Sequence, residues 1–243
     1  MVRFFVSPSE FRQDFMVLTD KNAAHAKVLR IKAGEKVTVS DGRGKEAVCT
    51  VSDISPGQVS VVVEKQGESV AEARVRVSVY MAFSKGDKFE HVIQKATELG
   101  ACEIIAFPSA RCVSKPDDKS LGKKLERWRK IAESASEQSG RGIVPEVMVL
   151  RSYGEAVNRA VIADTAILFY ENERAFTLRE ALNQKVYNHI SMMTGPEGGL
   201  DDKEVKTAMD AGMKVCTLGN RILRCETAPL CALSAVMYDS GEF

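Results

Sequence analysis

The sequence predicts an α/β protein in which a small β-barrel precedes a mostly parallel sheet with helices on both faces. Residues 1 to 70 contain short β-branched runs broken by turn signals, a pattern typical of a small barrel. From Val75 onward, continuously apolar strands alternate with amphipathic helices, which indicates parallel strands buried on both faces. The polar stretch QGESVAEAR, Gln66 to Arg74, separates the expected domains, residues 1–70 and 75–243.

The first domain is expected to contain three strands and two turns: KVTVSD, EAVCTVSDI and VSVVVEK, with DGRG and SPGQ between them. Ahead of these strands we expect a short helix that Asp20 caps and Gly34 ends. Its apolar positions are Ala24, Val28 and Leu29.

The second domain is expected to alternate strands with helices. Its strands are VRVSVYMAF, CEIIAFP, a segment at Met148 to Leu150, AILFY, HISMMT and KVCTL. Its helices are KGDKFEHVIQKATELG, Asp118 to Gln138, Tyr153 to Ile162, TLREAL, DDKEVKTAMDAG and Thr227 to Tyr238. Asp201 and Glu204 have the spacing of a capping pair. The first helix ends at Gly100 and has apolar residues at helical spacing: Phe89, Val92, Ile93, Ala96 and Leu99.

The composition excludes several classes of protein. With 44% hydrophobic and 28% charged residues, the 243-residue chain has ample material for a globular core. No apolar run approaches the ~20 residues needed to span a bilayer, and no signal peptide is evident, so we expect a cytoplasmic protein. The six cysteines include no CxxC pair and the three histidines no metal-ligand spacing, so we expect reduced thiols and no metal.

The net charge of +1 conceals a basic segment from Arg111 to Lys130, which has eight cations and three acidic residues. A solvated helix face explains such a segment as well as a phosphate contact does.

Two glycine-rich runs lie between a predicted strand and a predicted helix: TGPEGGL (Thr194 to Leu200) and LGNRILRCETAPLCAL (Leu218 to Leu233). Ligands of open α/β sheets bind beyond the carboxyl ends of the strands, so the two runs predict one shared pocket. The chain lacks GxGxxG, GxxxxGK[ST] and GxSxG, which disfavours dinucleotide, triphosphate and serine-hydrolase sites. Glu197 in the first turn favours a ligand with a neutral or positive centre.

These runs resemble the carboxyl-terminal signature of SPOUT-class methyltransferases. The closest resemblance is to the RsmE-type family, which methylates N3 of a uridine in small-subunit (16S) ribosomal RNA. The segments RFFV, KGDKFEHVIQKATELG, SARCVSK and RWRKIAESASEQSGR resemble that family's segments in the same order, so the resemblance covers nearly the whole chain. Cys225 and Pro229 stand where we expect other small or apolar residues, and neither replaces a group with an expected chemical role.

The resemblance implies a PUA-like RNA-binding barrel followed by a trefoil-knotted domain that binds S-adenosylmethionine. It also implies a homodimer in which the last helix contributes to the interface, although core packing explains the apolar CALSAVM face of that helix as well. The implied partner is ribosomal RNA within the small subunit, with no membrane and no metal.

By the same resemblance, three loops form the cofactor site. The implied residues are Leu168, Phe169, Thr194, Gly195, Glu197, Gly199, Leu218, Gly219, Arg221, Ile222, Leu223 and Thr227. Backbone groups would read the adenine edge while apolar side chains form the walls. For Leu168 and Phe169, packing in the strand core is an equal alternative.

The residues expected nearest the reaction are Arg224, Glu226 and Thr227, and Glu197 is a further catalytic candidate. The proton on uridine N3 must leave before or during attack on the methyl group. Arg224 or Arg221 could stabilise the developing anion. Glu197 or Glu226 could accept the proton or orient the arginine. The general base stays unassigned, and a structural Arg224–Glu226 ion pair is the alternative role.

RNA contacts are expected from both domains, at Arg3, Arg30, Lys32, Arg43, Lys45, Arg111, Lys115 and Arg141. Two other functions stay open. One is another knotted methyltransferase acting on a 2′-hydroxyl, another base or tRNA. The other is a catalytically silent RNA-binding factor of ribosome assembly.

Overall fold

The computed structural model describes residues 1–113, 118–183 and 187–243, with the side chains of residues 118 and 119 excepted. The chain divides into two compact units. The first comprises Met1–Glu72 and Ser136–Val144, and the second Ala73–Ala135 and Pro145–Phe243. The assignment of Ser136–Val144 to the first unit was not predicted, because helix and strand periodicity does not report which unit a segment packs with.

The first unit is built on an open five-stranded sheet rather than a closed barrel. Its strand order is β1-β3-β4-β5-β2, so β1 and β2 are its edges. The β1–β3 pair is parallel and the other pairs are antiparallel. The strands are β1 (Val2–Phe5), β2 (Phe15–Thr19), β3 (Lys36–Ser40), β4 (Lys45–Ser55) and β5 (Gln58–Glu68). β3, β4 and β5 lie where the sequence predicted them, whereas β1 and β2 were not assigned as strands.

The short helix of the first unit, α1 (Asp20–Val28), differs from its prediction. Ala23 and Ala26 are buried with Asn22, whereas Val28 is 78% exposed. The helix ends well before Gly34, and Arg30 has a φ of 56°, outside the right-handed helical region. The predicted apolar stripe of Ala24, Val28 and Leu29 was therefore wrong, because over so short a helix several apolar faces are equally plausible.

The second unit contains a six-stranded, wholly parallel sheet in the order β11-β9-β10-β6-β7-β8. Its strands are β6 (Arg76–Ala82), β7 (Glu103–Phe107), β8 (Glu146–Val149), β9 (Thr165–Phe169), β10 (His189–Thr194) and β11 (Lys214–Cys216). β9 is buried throughout, and β10 is buried except at its first residue, as expected for strands covered on both faces. The predicted parallel sheet is confirmed.

The helices of the second unit follow the predicted order, and the last residues of α3, from Ser136 on, belong to the first unit. They are α2 (Lys88–Glu98), α3 (Asp118–Ser139), α4 (Tyr153–Ala160), α5 (Leu178–Leu182), α6 (Asp202–Asp210) and α7 (Thr227–Asp239). Asp201 and Glu204 form the predicted capping box of α6. No helix among the described residues is long and apolar enough to cross a membrane.

Candidate active site

A cavity of about 500 Å³ opens beyond the carboxyl ends of three neighbouring strands. Phe169 ends β9 and Thr194 ends β10, while Thr217 directly follows β11. All three residues line the cavity because β9 lies between β11 and β10. The sheet order therefore gathers three separate loops at one edge, the place where open α/β sheets bind ligands.

The turn after β10 depends on its glycines. Gly199 has a φ of +68°, and its N–H donates to the carbonyl of Pro196 at 2.9 Å. A Cβ at Gly199 would overlap the Glu171 carboxylate. A Cβ at Gly195 would lie 2.9 Å from Leu200 Cγ. At position 199, glycine is thus required both for the backbone conformation and for the close approach of Glu171.

The loop after β11 is held by its own hydrogen bonds. The hydroxyl of Thr217 accepts from the Gly219 N–H at 3.1 Å, and Gly219 has a φ of +102°. The carbonyl of Arg224 accepts from the N–H groups of Thr227 and Ala228, both at 2.9 Å. These bonds begin α7 and hold the end of the loop against the cavity.

Lys88, the first residue of α2, joins two sides of the cavity. Its ammonium lies 3.1 Å from Glu197 Oε1 and 3.4 Å from Glu226 Oε2. The backbone N–H of Lys85 also donates to Glu197 Oε1 at 2.9 Å. A cation at a helix amino terminus opposes the helix dipole, so two carboxylate partners offset an otherwise unfavourable position. The cluster ties the turn after β10 to the start of α7.

The charges in this cluster stabilise one another. The hydrogen bond to Glu197 is the main cause of the raised pKa of Lys88. Burial by itself raises the pKa of Glu197, but hydrogen bonds from the backbone N–H groups of Lys85 and Glu197 and from the Lys88 ammonium more than offset it and leave the pKa below its usual value. Burial also raises the pKa of Glu226, but its own backbone N–H, the Cys225 thiol and Lys88 lower it on balance. All three groups are therefore charged at neutral pH.

Cys225 lies beside the cluster, and burial raises the pKa of its thiol to about 12. Its Sγ is 3.2 Å from Glu226 Oε2. A buried thiol that keeps its proton is a poor nucleophile, so Cys225 contributes packing and a weak hydrogen bond to this wall.

Three exposed arginines line the cavity, Arg174, Arg221 and Arg224, and the last two belong to the loop after β11. Among the described residues, neither of these two guanidinium groups forms an ion pair or a side-chain hydrogen bond. The alternative role considered for Arg224, an ion pair with Glu226, is not formed, because Glu226 is paired with Lys88. The cavity thus combines a paired carboxylate cluster with uncompensated cations.

Comparison with known proteins places this arrangement in a family. An RNA methyltransferase domain model matches residues 71–237, and an RNA methyltransferase PUA domain model matches residues 18–64. The ribosomal RNA small subunit methyltransferase E of Bacillus subtilis is 38% identical over 218 residues, covering 88% of this chain and 85% of that protein. This chain belongs to the ribosomal RNA small subunit methyltransferase E family.

Further relatives agree with this assignment. The Synechocystis member is 32% identical over 240 residues, covering 96% of this chain and 76% of that protein. The crystal structure of the Neisseria gonorrhoeae member bound to S-adenosyl methionine has a TM-score of 0.87 and 32% identity. That match covers 98% of this chain and 97% of the other. The resemblance inferred from the sequence motifs is confirmed.

Ten of the twelve predicted cofactor residues line the cavity: Phe169, Thr194, Gly195, Glu197, Gly199, Leu218, Gly219, Arg221, Ile222 and Leu223. Leu168 does not, because it is fully buried in the sheet core and the strand alternation leaves only its neighbour Phe169 at the cavity. Thr227 is exposed at the start of α7 and also lies outside the lining. The structure therefore does not support Leu168 and Thr227 as wall residues.

The predicted catalytic residues lie together around the cavity. Glu197 and Arg224 line it, and Glu226 reaches its edge through Lys88. Several lining residues were not predicted: Lys88, Glu171, Arg174, Pro196, Thr217, Cys225 and Ala228. The unfavourable placement of a lysine at a helix start is the one local signal that could have identified Lys88.

The predicted RNA-binding residues differ in their surroundings. Arg111 is exposed, and its Nη1 donates to the carbonyl of Gly198 in the turn after β10 at 3.2 Å. Arg3 pairs with Glu46 at 2.8 Å and is only 10% exposed. Lys115 lies outside the described residues. The other predicted cations of the first unit are exposed: Arg30, Lys32, Arg43 and Lys45.

Arg141 departs from its prediction as an RNA contact. The residue is 3% exposed, and its Nη2 and Nε donate to Glu72 Oε2 at 2.7 and 3.2 Å. The other oxygen of Glu72 accepts from the N–H groups of Gly142 and Ile143. Because exposing a buried, paired charge is costly, the predicted RNA contact does not hold and Arg141 instead stabilises the first unit.

Proposed function

We propose that this chain transfers the methyl group of S-adenosylmethionine to N3 of a uridine in the 16S RNA of the small ribosomal subunit. The observation that supports this most is one cavity, formed by three loops, in which carboxylates and unpaired arginines lie together. The family and the relative crystallised with S-adenosyl methionine support the same reaction.

The cavity residues fit S-adenosylmethionine. A volume of about 500 Å³ lies within the roughly 300–1,000 Å³ typical of small-molecule sites. Glycines at positions 195, 198, 199 and 219 leave backbone groups open to a ligand. Leu218 and Leu223 supply apolar surface, and Glu171 and Glu197 supply negative charge for a cationic ligand. When bound, this cofactor supplies an electrophilic methyl group on a positively charged sulfur.

Arg224 is proposed to stabilise the uracil anion that forms as the N3 proton leaves. Its exposed guanidinium is not neutralised by a described carboxylate, and a preorganised cation beside developing negative charge lowers a barrier. Hydrogen bonds from neighbouring groups, Lys88 among them, keep Glu197 and Glu226 ionised, and a carboxylate with a lowered pKa is a weak proton acceptor. We therefore infer that these carboxylates hold and orient charge, and that the N3 proton passes to solvent water at the exposed side of the cavity where Arg224 lies.

We further propose a homodimer formed through α7. The helix buries Pro229, Leu233 and Val236 within its own unit, which leaves Cys231, Ala235 and Tyr238 exposed along another stripe. Such an uncovered, largely uncharged stripe suits an interface between copies.

We also propose that the second unit is a SPOUT-class domain whose carboxyl-terminal segment is knotted. In support, the chain passes through the interior strand β10 and the outer strand β11 before α7 returns to pack on β10 and β6. The PUA-like first unit would bind RNA through its exposed cations.

The proposed reaction is tested with small ribosomal subunits from cells lacking this protein. The purified chain and methyl-labelled S-adenosylmethionine are added, and the RNA is digested and analysed by mass spectrometry. Label on uridine N3 of 16S RNA is expected. Label on a ribose 2′-oxygen, another base or added tRNA would replace the substrate assignment. Subunit binding without label would favour a catalytically silent assembly factor.

A further inference from the structure

A second hollow of about 370 Å³ lies in the second unit, between the loop that precedes α2 and one face of α3. The loop contributes Ser84, Gly86 and Asp87, and the helix contributes Lys123, Lys124 and Arg127. The reaction cavity includes none of these residues, and of them only Lys123, Lys124 and Arg127 lie in the basic segment Arg111 to Lys130, for which a phosphate contact was left open. The hollow is therefore a separate feature of the surface.

The hollow carries uncompensated positive charge. Arg127 is paired with Glu90 at 2.6 Å, whereas the exposed Lys123 and Lys124 make no ion pair or side-chain hydrogen bond among the described residues. Asp87 is the remaining carboxylate of the described lining. Two unpaired ammonium groups on successive positions of one helix thus face a hollow with a single opposing charge, and this favours an anionic ligand.

Ser84 provides a second, independent indication of a polar ligand. Its hydroxyl oxygen is shielded from solvent and has no hydrogen-bond partner among the described residues. Shielded hydroxyls are nearly always hydrogen-bonded, because leaving one unsatisfied is costly. Phe89 and Trp128 also line the hollow, are buried, and pack edge to face with ring centroids 4.7 Å apart, so part of its wall is apolar.

The loop of the hollow adjoins the reaction cavity. Lys88, directly after the loop, lines the cavity, whereas Gly86 and Asp87 line the hollow. The N–H of Lys85, the residue before Gly86, donates to Glu197 in the cavity. A strand of RNA that places one base in the reaction cavity would therefore reach the hollow by crossing a loop only a few residues long.

We propose that this hollow binds the sugar–phosphate backbone of the substrate RNA next to the methylated nucleotide, an inference that rests on the proposed function. Lys123 and Lys124 neutralise phosphate oxygens, and the Ser84 hydroxyl donates a hydrogen bond to one of them. These contacts carry no sequence information, since they involve phosphate alone. Their role is to hold the RNA in register so that the target base lies in the reaction cavity.

The test compares K123Q/K124Q with the matched pair R129Q/K130Q, which removes two exposed cations from the same helix outside the hollow. Binding to unmethylated small subunits is measured by co-sedimentation over a range of salt concentrations, and S-adenosylmethionine affinity by calorimetry. K123Q/K124Q is expected to weaken subunit binding about tenfold and to flatten its salt dependence by one to two units of log–log slope, roughly the effect of two lost phosphate contacts. R129Q/K130Q is expected to change subunit binding and its salt dependence much less. The affinity for S-adenosylmethionine is expected to stay constant in both double variants.

Ser84→Ala separates RNA binding from folding. It is expected to weaken subunit binding while leaving the free energy of unfolding unchanged or higher, because it removes an unsatisfied hydroxyl.

Equal losses of subunit binding in the two double variants, or no loss in K123Q/K124Q, would overturn the proposal. So would an altered oligomeric state of K123Q/K124Q, which would identify the hollow as an interface between copies. Because binding is measured apart from methylation, label on an atom other than uridine N3 would remove the proposed function and leave this inference standing.

Discussion

The ammonium of Lys88 lies 3.1 Å from Glu197 Oε1, joining the amino end of α2 to the glycine turn after β10. The same ammonium is 3.4 Å from Glu226 Oε2, which connects the amino end of α2 and the glycine turn to the start of α7. One lysine therefore joins two carboxylates of the candidate active site and helps to keep both ionised.

Lys88→Met should lower kcat/KM for methyl transfer to small subunits by about tenfold or more, since small displacements of catalytic groups carry such costs. Without the ammonium, Glu197 and Glu226 repel each other and the loops that carry them separate. Lys88→Arg should recover part of the loss. The control is Lys95→Met, which breaks only the half-buried Lys95–Glu98 pair on the same helix. An equal loss in the control would remove Lys88 from the site.

Arg224→Ala should reduce turnover about a hundredfold, the scale of losing one preorganised charge-stabilising group. The dissociation constant of S-adenosylmethionine should change little, because the guanidinium acts on the uracil. Single-turnover rates and calorimetry measure the two quantities, with Arg179→Ala on α5 as the exposed control. Equal losses of turnover and cofactor affinity would assign Arg224 to cofactor binding or loop structure instead.

Gly199→Ala should weaken S-adenosylmethionine binding, because the new methyl group displaces the Glu171 carboxylate from the cavity wall. Gly212→Ala is the matched control, since Gly212 has a φ of +98° and open space around its Cβ position. Both changes should destabilise the chain by about 1–2 kcal/mol through the left-handed backbone. Calorimetry and thermal unfolding separate the effects, and cofactor affinity that is equal in the two variants would contradict the prediction.

His189 should make the second unit less stable in acid. Burial lowers its pKa from the ordinary 6.5, so the folded chain binds this proton less readily than the unfolded chain. The contribution of neutral His189 to the free energy of unfolding is complete above pH 6.5 and is lost as the pH falls through the lowered pKa. Its neighbours are Ser78, Arg76, Glu103, Asp164 and Arg159.

The free energy of unfolding should therefore decline below about pH 6.5, the ordinary histidine value, and His189→Gln should reduce this slope. His91→Gln, at an exposed position on α2, should leave the slope of the free energy of unfolding with pH unchanged. Denaturant unfolding from pH 8 to pH 5 measures the slopes, and parallel curves for wild type and His189→Gln would contradict the assignment.

Ala235→Arg should convert the proposed dimer to monomer, because it places a charge at the centre of the exposed α7 stripe. Met209→Arg is the control, since Met209 is 58% exposed on α6. Sedimentation velocity should show a change in mass for Ala235→Arg alone. A wild-type chain that is already monomeric would remove the dimer proposal.

Much of the fold could be predicted locally. Strand β10 begins at His189 and ends at Thr194 as predicted, because a continuous apolar run bounded by a glycine turn is compatible with few alternatives. Helix α2 buries Phe89, Val92 and Ile93 as its spacing indicated. The short α1 failed because a helix of nine residues does not specify one face by periodicity alone.

The candidate site was predictable only in its loops. The glycine runs after β10 and β11 indicated a cavity wall, and the structure places them at one. Leu168 and Phe169 were indistinguishable in sequence, because only the packing of the sheet decides which of two successive strand residues reaches the cavity. In the sequence, Arg141 could not be distinguished from an exposed basic loop residue. Only the structure shows that it is buried against Glu72.

Local motifs and periodicity were enough to indicate the family, the order of strands and helices in the second unit, and the two glycine turns. The tertiary structure alone decided that β10 lies between β9 and β6. It also decided that Lys88 meets Glu197 and Glu226, and that Lys123 and Lys124 face the loop that borders the cavity. The physical reason is that strand order, burial and the pairing of charges arise between segments far apart in the chain, where no local pattern records them.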